Sequence, residues 1–109
     1  KERVDIFTID SLKDKYYSSD EVIFLKVDTQ GFEKEVLEGA SELLQIAKGV
    51  KLEVPLGSGN DIYEDLDWEL MDYMKFFENL GFKLYSIEAL GANKNTGIVY
   101  EADVIFIRP

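Results

Sequence analysis

Cysteine and histidine are both absent from this chain. That excludes disulfides, thiol nucleophiles, zinc sites built on the usual sulfur and nitrogen donors, and Ser-His-Asp catalysis. No metal site is expected. The lack of cysteine is compatible with a cytoplasmic protein, a compartment where structural disulfides are rare. Long apolar runs are missing as well. No stretch approaches the roughly 20 residues needed to span a bilayer, and no secretory leader is legible.

Positive charge is in short supply. The chain has 12 basic against 22 acidic residues, a formal net charge of −10. Such a chain repels phosphate backbones and anionic lipid. Neither nucleic acid nor a membrane is expected as a partner. What is present is globular in character: 46% hydrophobic and 13% aromatic residues in 109 positions. One domain over residues 1–109 with a modest core is expected.

Strand and helix signals alternate along the chain, which predicts an α/β architecture. Residues 4–9 read as a short extended segment, and Asp10 and Ser11 as the cap of a helical turn over 11–17. Residues 22–27, VIFLKV, are a nearly continuous apolar run, as in a strand buried on both faces. One amphipathic helix is predicted over 32–47, with Phe32, Val36, Leu37, Ala40, Leu43, Leu44 and Ala47 on one face. Glu33 and Glu35 sit in its first turn, where the helix dipole favours acid. Gly49 reads as its stop.

A second strand follows over 50–56. A second helix is capped by Asp65 or Asp67 and runs to Leu80, where Gly81 ends it. Residues 82–90 and 102–107 are strands joined by the turn at 91–97, and should pair antiparallel. The expected order is β-α-β-α-β-β. The expected sheet is mostly parallel, closed by a C-terminal antiparallel hairpin.

In open α/β sheets, ligands bind beyond the carboxyl ends of the strands. Asp28 closes the first buried strand, Glu53 lies near the end of the second, and Lys26 shares a strand face with Asp28. Together they form a candidate polar cluster that holds a substrate hydroxyl or takes its proton. The plainer reading makes Asp28 a helix cap and Lys26–Glu53 a salt-bridged or solvated pair. Gly57-Ser58-Gly59 lacks the third glycine of a dinucleotide loop, because position 62 is Ile, and reads as a flexible loop. Trp68 and Tyr63 read as packing residues.

The stretch FLKVDTQGFEKEVLEGA at 24–40 resembles a hallmark of the FkbM family of S-adenosylmethionine-dependent methyltransferases. The matching pieces are Lys26-Val27-Asp28, Gln30-Gly31-Phe32-Glu33 and Leu37-Glu38-Gly39-Ala40. Thr8-Ile9-Asp10-Ser11-Leu12, Leu52-Glu53-Val54, Leu80-Gly81-Phe82 and Asp103-Val104-Ile105-Phe106 follow the family order. The resemblance implies the C-terminal portion of a Rossmann-like methyltransferase sheet. It also implies methyl transfer from S-adenosylmethionine to a small-molecule acceptor, usually a hydroxyl of a sugar or secondary metabolite. Asp28 and Glu53, supported by Lys26, are then the catalytic candidates.

The glycine-rich cofactor loop and ribose-binding acid of the family are not found here, so most of the cofactor site is expected upstream. A second reading is a non-catalytic interaction domain on a degenerate methyltransferase fold. The apolar strand at 22–27 carries one charge, and if left as an edge it predicts pairing with a second copy.

Overall fold

A computed structural model describes residues 10, 22–28, 33–56 and 68–109. The readings for residues 4–9, 11–20 and 57–67 fall outside the described residues. Among the described residues there are seven elements: β1 (Phe24–Val27), α1 (Glu33–Glu38), α2 (Ser41–Ile46), β2 (Gly49–Pro55), α3 (Leu70–Asn79), β3 (Lys83–Ala92) and β4 (Val99–Ile107). Among the described residues, no helix is long and apolar enough to cross a membrane.

The four strands form one sheet in the order β1-β2-β4-β3. This corrects the expectation of a mostly parallel sheet. Only β1 and β2 pair in parallel, while β4 is antiparallel to both β2 and β3. The physical reason lies in burial. The hairpin returns β4 antiparallel to β3, and its alternating apolar residues fill the position beside β2. Ala102, Val104 and Phe106 of β4 are buried, whereas Tyr85 and Ile87 of β3 remain exposed. The apolar strand takes the centre.

One core binds the helices to a single face of the sheet. It combines Val50, Leu52 and Val54 of β2 with Ala102, Val104 and Phe106 of β4. Leu37, Leu43 and Leu44 of α1 and α2 and Tyr73 and Phe77 of α3 cover them. Phe77 stacks on Phe106 at 4.4 Å between ring centroids and meets Phe82 edge-on at 5.5 Å. Trp68 packs against Tyr73 and Phe76, both at 5.1 Å. The opposite face is open among the described residues, so β1 is not buried on both sides: Phe24 is 63% exposed.

The helix predicted over 32–47 is two six-residue helices, broken at Gly39-Ala40. The predicted apolar face survives the break, with Leu37, Ala40, Leu43, Leu44 and Ala47 all buried. The break admits residue 10. The backbone N–H of Asp10 donates to Gly39 O at 2.9 Å. Its carboxylate accepts from Glu42 N at 2.8 Å, Leu43 N at 3.1 Å and Ser41 Oγ at 3.0 Å. Asp10 thus caps α2, a helix distant in sequence.

Gly49 is not the helix stop. It is the buried first residue of β2, and a Cβ there would collide with the Phe24 ring. α3 begins later than predicted, with Glu69 as its N-cap in a reciprocal box with Asp72 rather than a cap at Asp65 or Asp67. Gly81 ends α3 as expected, at φ +89°, with Phe82 N donating to Phe77 O at 3.0 Å.

Candidate functional site

Because β1 and β2 are parallel and in register at Lys26–Lys51 and Val27–Leu52, their carboxyl ends lie side by side. β4 runs the other way and brings its beginning to the same place. Glu53 stands opposite Asp103, and Pro55 opposite Glu101. Strand alternation sends Val50, Leu52 and Val54 into the core and Lys51 and Glu53 to the open face. The same alternation on β4 buries Ala102 and Val104 and turns Glu101 and Asp103 outward.

The result is a cleft of about 270 Å³ lined by Lys26, Val27, Asp28, Lys51, Leu52, Glu53, Leu90 and Asp103. Lys26, Asp28 and Glu53, the three residues singled out in the sequence, all line it. Lys26 and Asp28 are exposed and Glu53 is half-buried. Lys26 does not pair with Glu53. The ion pair at the cleft is Lys51 Nζ to Asp103 Oδ2 at 3.7 Å. It is partly exposed and contributes little to stability.

Glu53 is the electrostatic centre of this group. Its pKa is raised, first by partial burial, then by the charge of Glu101 and of Asp28, by a side-chain hydrogen bond to Glu101, and by the charge of Asp103. Four carboxylates crowd one end of the sheet, and the neighbouring negative charges and partial burial favour the protonated form of Glu53.

Lys51, Leu90, Glu101 and Asp103 were not singled out as site residues in the sequence. The alternation Glu101-Ala102-Asp103-Val104 was a usable signal, since it marks one polar and one buried face. It acquires meaning only once β4 lies against β2. Glu33, read as a dipole-favoured acid in the first turn, is buried at 2% exposure at the start of α1.

The cofactor implied by the resemblance does not fit these residues as a whole. Small-molecule pockets enclose about 300–1,000 Å³. The cleft is smaller, and three acidic, two basic and three apolar residues line it, with no glycine among them. Among the described residues, no group of three or more acidic side chains is arranged to hold a metal ion.

The solved structure of the small RNA methyltransferase HEN1 is similar at a TM-score of 0.49 and 12% identity. The likeness covers 82% of this chain and 14% of that one, so the chain spans a small part of its length. A search of curated proteins finds no match. The model of the methyltransferase FkbM domain matches residues 1–84, most of the chain and all of β1 through α3. The chain belongs to the FkbM methyltransferase domain family.

Proposed function

We propose that this chain is the acceptor-facing, C-terminal part of an O-methyltransferase acting on a hydroxyl of a sugar or secondary metabolite. S-adenosylmethionine is the methyl donor that the family implies, held mostly by residues outside these 109. The observation that carries the reading is Glu53, whose pKa is raised in a cleft at the carboxyl ends of β1 and β2. A carboxylate with a raised pKa is a better proton acceptor. Glu53 is placed to receive the proton that the acceptor hydroxyl gives up. Lys26 and Lys51 line the same cleft and are suited to donate hydrogen bonds to neighbouring acceptor oxygens. Asp28 helps keep Glu53 basic.

The test is transfer of a radiolabelled methyl group from S-adenosylmethionine by the intact protein to a panel of polyhydroxylated acceptors. Label should appear on oxygen, and Glu53→Gln should reduce turnover about 100-fold or more. The alternative reading is a non-catalytic interaction domain. Absence of transfer to every hydroxyl acceptor, together with absence of cofactor binding by the intact protein, would establish that reading instead.

A further inference from the structure

We propose that the protein pairs with a second copy of itself, edge to edge, through β3. Among the described residues, this strand is the outer edge of the sheet and bonds to β4 on one side only. Nine large apolar side chains are conspicuously exposed among the described residues, and four are on β3: Leu84 at 43%, Tyr85 at 72%, Ile87 at 50% and Leu90 at 46%. An apolar edge with unpaired backbone groups is a template for another strand. The charge pattern of β3 specifies which strand.

The register with β4 assigns the faces. Lys83, Ser86 and Glu88 align with Ile107, Ile105 and Asp103, on the open face. Leu84 and Ile87 align with Phe106 and Val104, on the helix-covered face. In a regular strand, residues 83 and 88 would point to opposite faces, because the side-chain period is two. The irregularity between Leu84 and Ser86 makes Tyr85 an extra residue and restores Lys83 and Glu88 to one face.

The stretch thereby becomes self-complementary. About a two-fold axis between Tyr85 and Ser86, Lys83 of each copy stands opposite Glu88 of the other. Leu84 of each copy stands opposite Ile87 of the other. Both of these opposed pairs then lie on a matching face, as an isologous interface requires. Opposite charges directly across an antiparallel pair stabilise it, and like charges oppose it. An edge lysine ordinarily wards off foreign strands. Here its matching acid is supplied by an identical chain.

The test is sedimentation velocity on the intact protein over a concentration series. It is run at physiological ionic strength, where a Debye length of about 8 Å screens the general repulsion between two acidic chains. Lys83→Glu alone and Glu88→Lys alone should each weaken dimerisation about tenfold, because two attractive pairs become repulsive. The double swap K83E/E88K should return it to within about threefold of the parent. Both side chains are exposed, so circular dichroism should show an unchanged fold. A monomer at every concentration would overturn the proposal. So would a dimer that all three variants leave unchanged, including one formed through the β1 edge at Val22 and Phe24.

Discussion

Asp10 and Arg108 hold opposite ends of the same short helix. The Asp10 carboxylate takes the backbone N–H groups of Glu42 and Leu43 at the start of α2. The Arg108 guanidinium donates to Leu44 O, Gln45 O and Ala47 O at its end, and to Leu80 O at the end of α3. It also lies 4.1 Å over the Phe82 ring. A six-residue helix is far too short to stand alone. α2 has no side-chain cap of its own and no basic residue in its last turn. Both deficits are met by residues remote in sequence.

Removing the first of these partners should have a measurable cost. Asp10→Ala is expected to destabilise the protein by about 1–2 kcal/mol, the usual loss for an N-cap. Asp10→Asn should recover part of this, since its amide keeps one acceptor oxygen. Urea denaturation of the three proteins measures it. Equal midpoints for all three would show that α2 does not depend on Asp10.

Arg108→Ala should cost more, about 2–4 kcal/mol, because partly buried carbonyls lose their donors and the Phe82 ring loses its cation. Arg108→Lys should rescue little, since a single ammonium cannot reproduce a planar fork spanning two helix ends. Thermal unfolding is the measurement. A lysine variant as stable as the parent would mean that charge, not geometry, is what Arg108 supplies.

Glu53 predicts a pH signature in stability. Its folded-state pKa is raised, so the folded protein binds its proton more tightly than the unfolded chain does. The contribution is fully present below the unfolded pKa, about 4.3, and is lost as pH rises through the folded value. At neutral pH, Glu53 is therefore a destabilising residue. Glu53→Gln should raise the urea midpoint at pH 7, and the gain should shrink toward pH 4. A gain that does not change with pH would mean that the site does not perturb Glu53.

Asp28 raises the Glu53 pKa through its charge. If both act on the acceptor, Asp28→Asn should lower turnover of the intact protein. It should also move the acid limb of the pH–rate profile to lower pH, as Glu53 becomes easier to ionise. A role confined to helix capping predicts neither change, because Asn caps nearly as well as Asp.

Calorimetry on the isolated 109-residue chain should detect no low-micromolar binding of S-adenosylmethionine. The described cleft offers acidic side chains where a cofactor pocket needs backbone donors. Tight binding would relocate the cofactor site to these residues.

Local physics made much of this protein legible in its sequence. The apolar periodicity of Leu37, Ala40, Leu43, Leu44 and Ala47 identified a buried helical face, and it holds although the helix is broken. Gly81 marked the end of α3 because only a left-handed residue closes it so. Asp28 and Glu53 stood at strand ends by counting alone. The tertiary structure decided what depends on neighbours distant in the chain. It brought the Asp10 carboxylate to the start of α2, because an orphan helix start takes whichever carboxylate reaches it. It seated β4 between β2 and β3, where Ala102, Val104 and Phe106 are buried while β3 is left with exposed apolar residues. That placement set Glu101 and Asp103 beside Glu53, and no pattern within either strand encodes the meeting. Periodicity and capping act over a few residues, whereas sheet order is chosen by packing, and the charge environment of the cleft follows from sheet order.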